Sequence, residues 1–267
     1  MINFIYFSIF IFGTAIGSFL NVLIDRLPNN QSINGRSHCD YCGKKLNWYD
    51  MFPVFSYFIL GGKTRCCKKK LSFQYPLIEF LTGVIFVLVF KDSPYVESLT
   101  RTVLIFGILS CLIVIFVSDL KYQLISDYVL LGLFIFSVLF HLFVGSENPT
   151  PTTIYNYLQP LTTYILSGLI VCLPIFLIYF ISKERAMGLG DVYLSAIMGF
   201  LLGWQAGLLA LYIAFVTGAI FGVIVIILKN KKLKSKIAFG PFLVIGTVIM
   251  LFWGEKLLEI VKKIYKL

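Results

Sequence analysis

The sequence predicts an all-α, polytopic membrane protein of about eight transmembrane helices with a small cysteine-containing cytoplasmic insertion. Three observations carry this. Of 267 residues, 58% are hydrophobic and only 13% charged, a balance foreign to water-soluble globules. Apolar runs near the roughly 20-residue length of a bilayer span recur from end to end. The 23 Lys and Arg, which outnumber 13 Asp and Glu for a net charge of +10, gather mostly in two short segments between apolar runs. Such segments mark cytoplasmic loops under the positive-inside rule. The charge excess therefore points to membrane lipid and gives no reason to expect nucleic acid.

The first stretch, residues 1–26, is a transmembrane helix built on the run Ile2 to Ile24. It has no basic residue before it and Arg26 after it, which places the N-terminus outside. With no basic lead-in or small-residue cleavage site, it reads as uncleaved. Residues 27–75 form the basic loop, with Arg36, Lys44, Lys45, Lys63, Arg65, Lys68, Lys69 and Lys70. Cys39 and Cys42 make a CxxC knuckle there, followed by Gly43, and Cys66 and Cys67 come later. In a reducing cytoplasm four thiolates favour metal over disulfides and could hold a tetrahedral structural zinc. The adjacency of the second pair strains that geometry. His38 is a substitute ligand or a surface residue.

Apolar runs then follow at Leu77 to Phe90, Thr102 to Val117, Tyr128 to Val144, Leu158 to Ile181, Val192 to Leu202, Ala206 to Leu228 and Ile237 to Trp253. Turns are expected at 91–94, across the hairpin from Asp119 to Asp127, through the Lys-free loop 145–157 and at 203–205. The first of these runs is short, so its helix should begin near Tyr75 and draw Glu79 into the membrane edge. A second basic block runs from Lys229 to Lys236. The tail, residues 255–267, reads as an amphipathic interfacial helix. Cys111, Cys172 and His141 sit in apolar runs and read as packing residues.

This topology puts Asp119 and Asp191 on one face of the membrane. Carboxylates at membrane depth are expensive to desolvate and mark functional sites by default. Two of them within hydrogen-bonding range share a proton. One then takes a proton from water while the other polarises a carbonyl, which is aspartyl protease chemistry. Residues 76–254 would form that core. Gly188 and Gly190, flanking Leu189, free the backbone before Asp191 for left-handed angles or for close approach of an extended peptide. Either aspartate alone reads equally well as a solvated helix end, with Asp191 as an N-cap. The competing reading is a transporter or assembly scaffold whose aspartates bind protons or cations.

Several stretches together resemble the type IV prepilin peptidase family of GxGD membrane aspartyl proteases, including its competence-type members. They are Gly17-Ser18-Phe19-Leu20-Asn21-Val22 with Arg26-Leu27-Pro28, Arg36-Ser37 before Cys39 and Cys42, Trp48-Tyr49-Asp50 with Pro53-Val54, Tyr75-Pro76-Leu77-Ile78-Glu79, Asp119, Gly188-Leu189-Gly190-Asp191, and Phe239-Gly240-Pro241-Phe242. They run in family order along nearly the whole chain. The resemblance implies a bacterial cytoplasmic (inner) membrane enzyme whose active site faces the cytoplasm. It would cut basic leaders from type IV pilin-like or competence pseudopilin precursors, with Asp119 and Asp191 as the catalytic pair. Long-form members also N-methylate the new amino terminus with S-adenosylmethionine, and the large loop here is similar to theirs. Asn21, Arg26 and Glu79 are the candidate contributors. The sequence departs from the family at Thr64, where a third cysteine belongs and for which Cys66 is a stand-in. It departs again at Ser126, where a proline is common before Asp127, the rival first carboxylate. A peptidase that has lost methylation would fit the first departure.

Overall fold

A computed structural model describes residues 2–33, 35, 37–39, 41–92, 99–144, 155–229 and 238–265. The motif residue Arg36, the expected turn at 93–94, the Lys-free loop over 145–154 and the basic block over 230–236 lie outside the described residues. Among the described residues there are helices and two isolated β-bridges but no strand.

The chain divides into two compact units, residues 1–106 and 107–267. The first is built on α1 (Ile2–Arg26) and α3 (Gln74–Asp92), which pack along their lengths. A Cβ on Gly17 would lie 2.7 Å from the Cα of Glu79, and one on Gly13 would lie 2.8 Å from the Cα of Gly83. Small residues thus let two membrane helices touch backbone to backbone and fix which turns face each other. Between them the described part of the loop holds a 3-10 turn, Trp48–Met51, and the short helix α2 (Phe55–Ile59).

The second unit begins within α4 (Leu99–Tyr122), which leads through a short hairpin into α5 (Asp127–Phe143), followed by α6 (Tyr155–Ser182), α7 (Leu189–Leu202), α8 (Trp204–Lys229) and α9 (Gly240–Tyr265). Helix α7 is the hub. It contacts α5, α6, α8 and α9, and nine of its 14 residues are buried. His141 packs against it, with Nε2 3.0 Å from the Phe200 carbonyl and its ring stacked 3.7 Å from Tyr164. This is the packing role expected of it.

Among the described residues, eight long helices match the eight expected. Five of them hold segments long and apolar enough to cross a membrane, namely Asn3–Arg26, Gln74–Lys91, Leu99–Tyr122, Leu161–Ser182 and Trp204–Val225. Helices α5 and α7, with 17 and 14 residues, are apolar but shorter. Several boundaries differ from the expectation, and α6 already begins at Tyr155, inside the loop expected over 145–157. Gly203, at φ +80, alone breaks α7 from α8, so the turn shrinks to one residue because glycine reverses the chain without a Cβ clash. Helix α9 runs unbroken to Tyr265, so the described part of the tail prolongs the last helix.

Candidate active site

Asp119 lies in the last turn of α4 and Asp191 in the first turn of α7, only 5% and 8% exposed. Helix α7 starts earlier than the apolar run suggested. Gly188 is its N-cap, with extended φ of −85, and its amide donates to Asp191 Oδ2 at 3.2 Å. Asp191 therefore caps its own helix from the third helical position, where a carboxylate also meets the positive end of the helix dipole. Neither Gly188 nor Gly190 takes a left-handed angle. What Gly190 provides is room, since a Cβ there would sit 3.0 Å from Cβ of Ile125.

Asp119 is held from the far end of the unit. The Gly240 amide, at the start of α9, donates to its Oδ2 at 3.0 Å. A Cβ at Gly240 would come 2.6 Å from the same oxygen, so only glycine allows the approach. Pro241 follows and has no amide hydrogen to offer. Ile125, in the α4–α5 hairpin, reaches both glycines. Its Cδ1 lies 3.2 Å from the Cβ position of Gly240 and 3.3 Å from that of Gly190. The hairpin thus plugs the space between the starts of α7 and α9, and each of those helix starts supplies the amide that holds one of the two carboxylates. Asp127, the rival, is exposed at the start of α5. Ile125 and Gly240 were not among the expected site residues. The signal for Gly240 was the glycine-proline break opening the last apolar run; Ile125 had none.

The loop of the first unit gathers Cys39, Cys42, Cys66 and Cys67, whose sulfurs all lie within 4.8 Å of one another. His38 is not in the group; it bridges to Lys45. Two knuckles supply the thiols. In the first, the Cys39 amide donates to the Lys44 carbonyl and the Gly43 amide to that of Cys39. In the second, the Thr64 amide donates to Lys69 and the Lys68 amide to Thr64. The bridges His38–Lys45 and Lys63–Lys70 close them alike. Thr64 therefore occupies the place of Cys39, and its Oγ1 lies 3.1 Å from Cys67 Sγ. Cys66, pointing at Cys42 across 3.2 Å, supplies the fourth sulfur. The Thr64 hydroxyl brings the Cys67 thiol down to about 7, whereas the bond to Cys42 pushes Cys66 up to about 12. Four convergent sulfurs fit a thiophilic ion such as zinc, and the adjacency of Cys66 and Cys67 does not keep either out of the cluster.

At the α1–α3 seam, Asn21 Nδ2 donates to the Tyr75 carbonyl at 3.1 Å, while its Oδ1 is buried without a donor. One turn away, buried Glu79 accepts the Val54 amide at 2.7 Å. Val54 has φ +62, a strain of about 1–3 kcal/mol for such a residue. Arg26 is committed elsewhere, donating to the carbonyls of Ser32 and Ile33. The structure thus brings Asn21 and Glu79 to one seam and sends Arg26 to the mouth of the loop.

Residues 11–92 match the bacterial peptidase A24 N-terminal domain and residues 106–223 the type IV leader peptidase family. A prepilin leader peptidase/N-methyltransferase of Aeromonas salmonicida is 30% identical, over 95% of this chain and 92% of its own length. The chain belongs to the type IV leader peptidase family. Proteins of the same name from Legionella pneumophila and Pseudomonas aeruginosa are 30% and 28% identical, over 96% and 92% of this chain and 94% and 89% of theirs. No solved structure matches. Membership in this family, with five apolar spans, makes the chain an integral membrane peptidase and disfavours the transporter or scaffold reading.

Proposed function

We propose that the protein is an aspartyl endopeptidase of the bacterial inner membrane that cuts the leader from type IV prepilin-like precursors, competence pseudopilins among them, at the cytoplasmic face. Asp119 and Asp191 would be the catalytic pair. The observation that carries this is their joint burial in one unit, each with one oxygen tied to a backbone amide, Gly240 for Asp119 and Gly188 for Asp191. Those bonds orient the carboxylates and leave the other oxygens for the reaction. One carboxylate takes a proton from water, which attacks the scissile carbonyl; the other, protonated, donates to the carbonyl oxygen as it gains charge. Collapse of the tetrahedral adduct breaks the C–N bond, and the new amine leaves with a proton from the pair.

The names of the relatives support a second step, N-methylation of the new amino terminus. S-adenosylmethionine, when bound, supplies an electrophilic methyl group on a cationic sulfur. Asn21 and Glu79 fit a polar, positively charged guest, because a buried acceptor without a donor and a buried carboxylate lie one turn apart. Arg26 would act only through the loop mouth. The four-cysteine cluster would hold a structural zinc that folds a loop with little core of its own.

The test is to incubate purified protein with a pilin-like precursor, with and without the methyl donor, and read intact mass. Leader loss is expected in both, and a gain of about 14 Da, one methyl group, only with donor. Asp119→Asn and Asp191→Asn should each lower cleavage by at least about 10³-fold. Full cleavage by either variant would end the assignment.

A further inference from the structure

The basic loop displays apolar side chains that its own packing does not use. Phe52, Phe55, Phe58 and Ile59 are exposed, Ile59 by 79%. Nearby Lys63, Lys68 and Lys70 also face outward. Large hydrophobes clustered on a surface mark an interaction site. The display is built in. The reversal at Val54, directly before Phe55, is held by the bond from its amide to Glu79 of α3. Tyr57, on the inner side of α2, packs edge-on against Phe73 at 6.1 Å, tying the short helix to the start of α3.

What covers this patch follows from its neighbours. Exposed Phe73 leads directly into exposed Leu77, Phe80 and Leu81 on α3, a helix apolar enough to cross a membrane. The patch is therefore continuous with a face that meets lipid. The loop's two ends leave candidate spans at Arg26 and Gln74, so the whole segment stays near the bilayer surface. Its exposed lysines complement anionic headgroups, as in helices that lie along a membrane.

We infer that residues 52–59 form an interfacial wedge. Phe52, Phe55, Phe58 and Ile59 enter the boundary between headgroups and acyl chains, and Lys63, Lys68 and Lys70 meet anionic lipid phosphates. Glu79 acts as its anchor by fixing the turn that aims it. The wedge rests on the geometry of the first unit alone and stands whether or not the enzymatic reading does. It would hold the four-thiol loop flat against the membrane.

The test uses the full-length protein reconstituted in vesicles, with photoreactive benzoylphenylalanine in place of Phe58 or Ile59, and in place of exposed Lys44 as control. Intact mass after illumination should show lipid adducts at Phe58 and Ile59 at least about tenfold above Lys44. The yield should be higher in mixed phosphatidylglycerol and phosphatidylcholine vesicles than in phosphatidylcholine alone. Equal yields at all three positions, adducts only to a second protein, or equal yields in the two vesicle types would overturn the assignment to an anionic membrane surface.

Discussion

The two knuckles of the basic loop share a backbone and differ in what they hang on it. Residues 37–46 and 62–71 make the same three backbone hydrogen bonds at matching positions, including Leu46 to Ser37 in the first and Leu71 to Gly62 in the second. Yet the first follows the rules of its turn and the second breaks two of them. Gly43, at φ +68, stands where the chain turns left-handed, and its counterpart is Lys68 at φ +54. Cys39 provides a sulfur, and its counterpart Thr64 provides a hydroxyl. The lesson is that a loop gathering thiols around one centre is specified by its backbone turns first. Thiols can then be relocated by two residues, as Cys66 is relative to position 64, provided the sulfur still reaches the centre.

Breaking both halves should have the largest effect. Cys39→Ser and Cys67→Ser remove one sulfur from each knuckle, and each is expected to lower zinc affinity by at least about a hundredfold, read by metal titration. Undiminished affinity would remove zinc from the account. Next comes a test of relocation. Cys66→Ser should weaken zinc by about tenfold or more, and Thr64→Cys with Cys66→Ser should recover most of the loss by restoring the regular spacing. A Cys66→Ser protein with unchanged affinity would show that the displaced thiol is not a ligand.

The backbone difference predicts smaller effects of opposite sign. Gly43→Ala should destabilise the loop by about 1 kcal/mol, because a Cβ is strained at that angle, while Lys68→Gly should stabilise it by up to about 1 kcal/mol. Resistance of the loop to proteolysis measures both, and a Lys68→Gly loop that is cut faster would contradict the strain. The smallest effect is on pH. In metal-free protein the lowered Cys67 thiol favours the thiolate in the fold, so its contribution is present at high pH and is lost as pH falls through about 7. Alkylation of Cys67 should rise around that pH, whereas Cys66, pushed up to about 12, should lag far behind.

The sequence made the helices legible because membrane spans announce themselves by length and apolarity, and it made Asp119 and Asp191 legible because charge at membrane depth is rare. The second knuckle was harder to read. With threonine in place of cysteine its CxxC pattern disappears, and only backbone hydrogen bonds reveal the match to the first. Ile125 was invisible, since an isoleucine in a hairpin looks like any other until two glycines from distant helices close on it. Gly188 and Gly190 invited a left-handed reading, but glycine also serves where space is short, and the position of Ile125 decided for that use at Gly190. The strained Val54 could not be foreseen either, because its angle depends on a carboxylate from another helix.

The amide that grips Asp119 has a consequence for biosynthesis. Translation delivers both aspartates well before it delivers residue 240, so a nascent chain still on the ribosome holds the proposed pair without the donor that orients one of them. Assembly of the centre therefore waits for the start of the final helix to be made and docked against α4, and chains terminated before that point would carry both acids with Asp119 still unanchored.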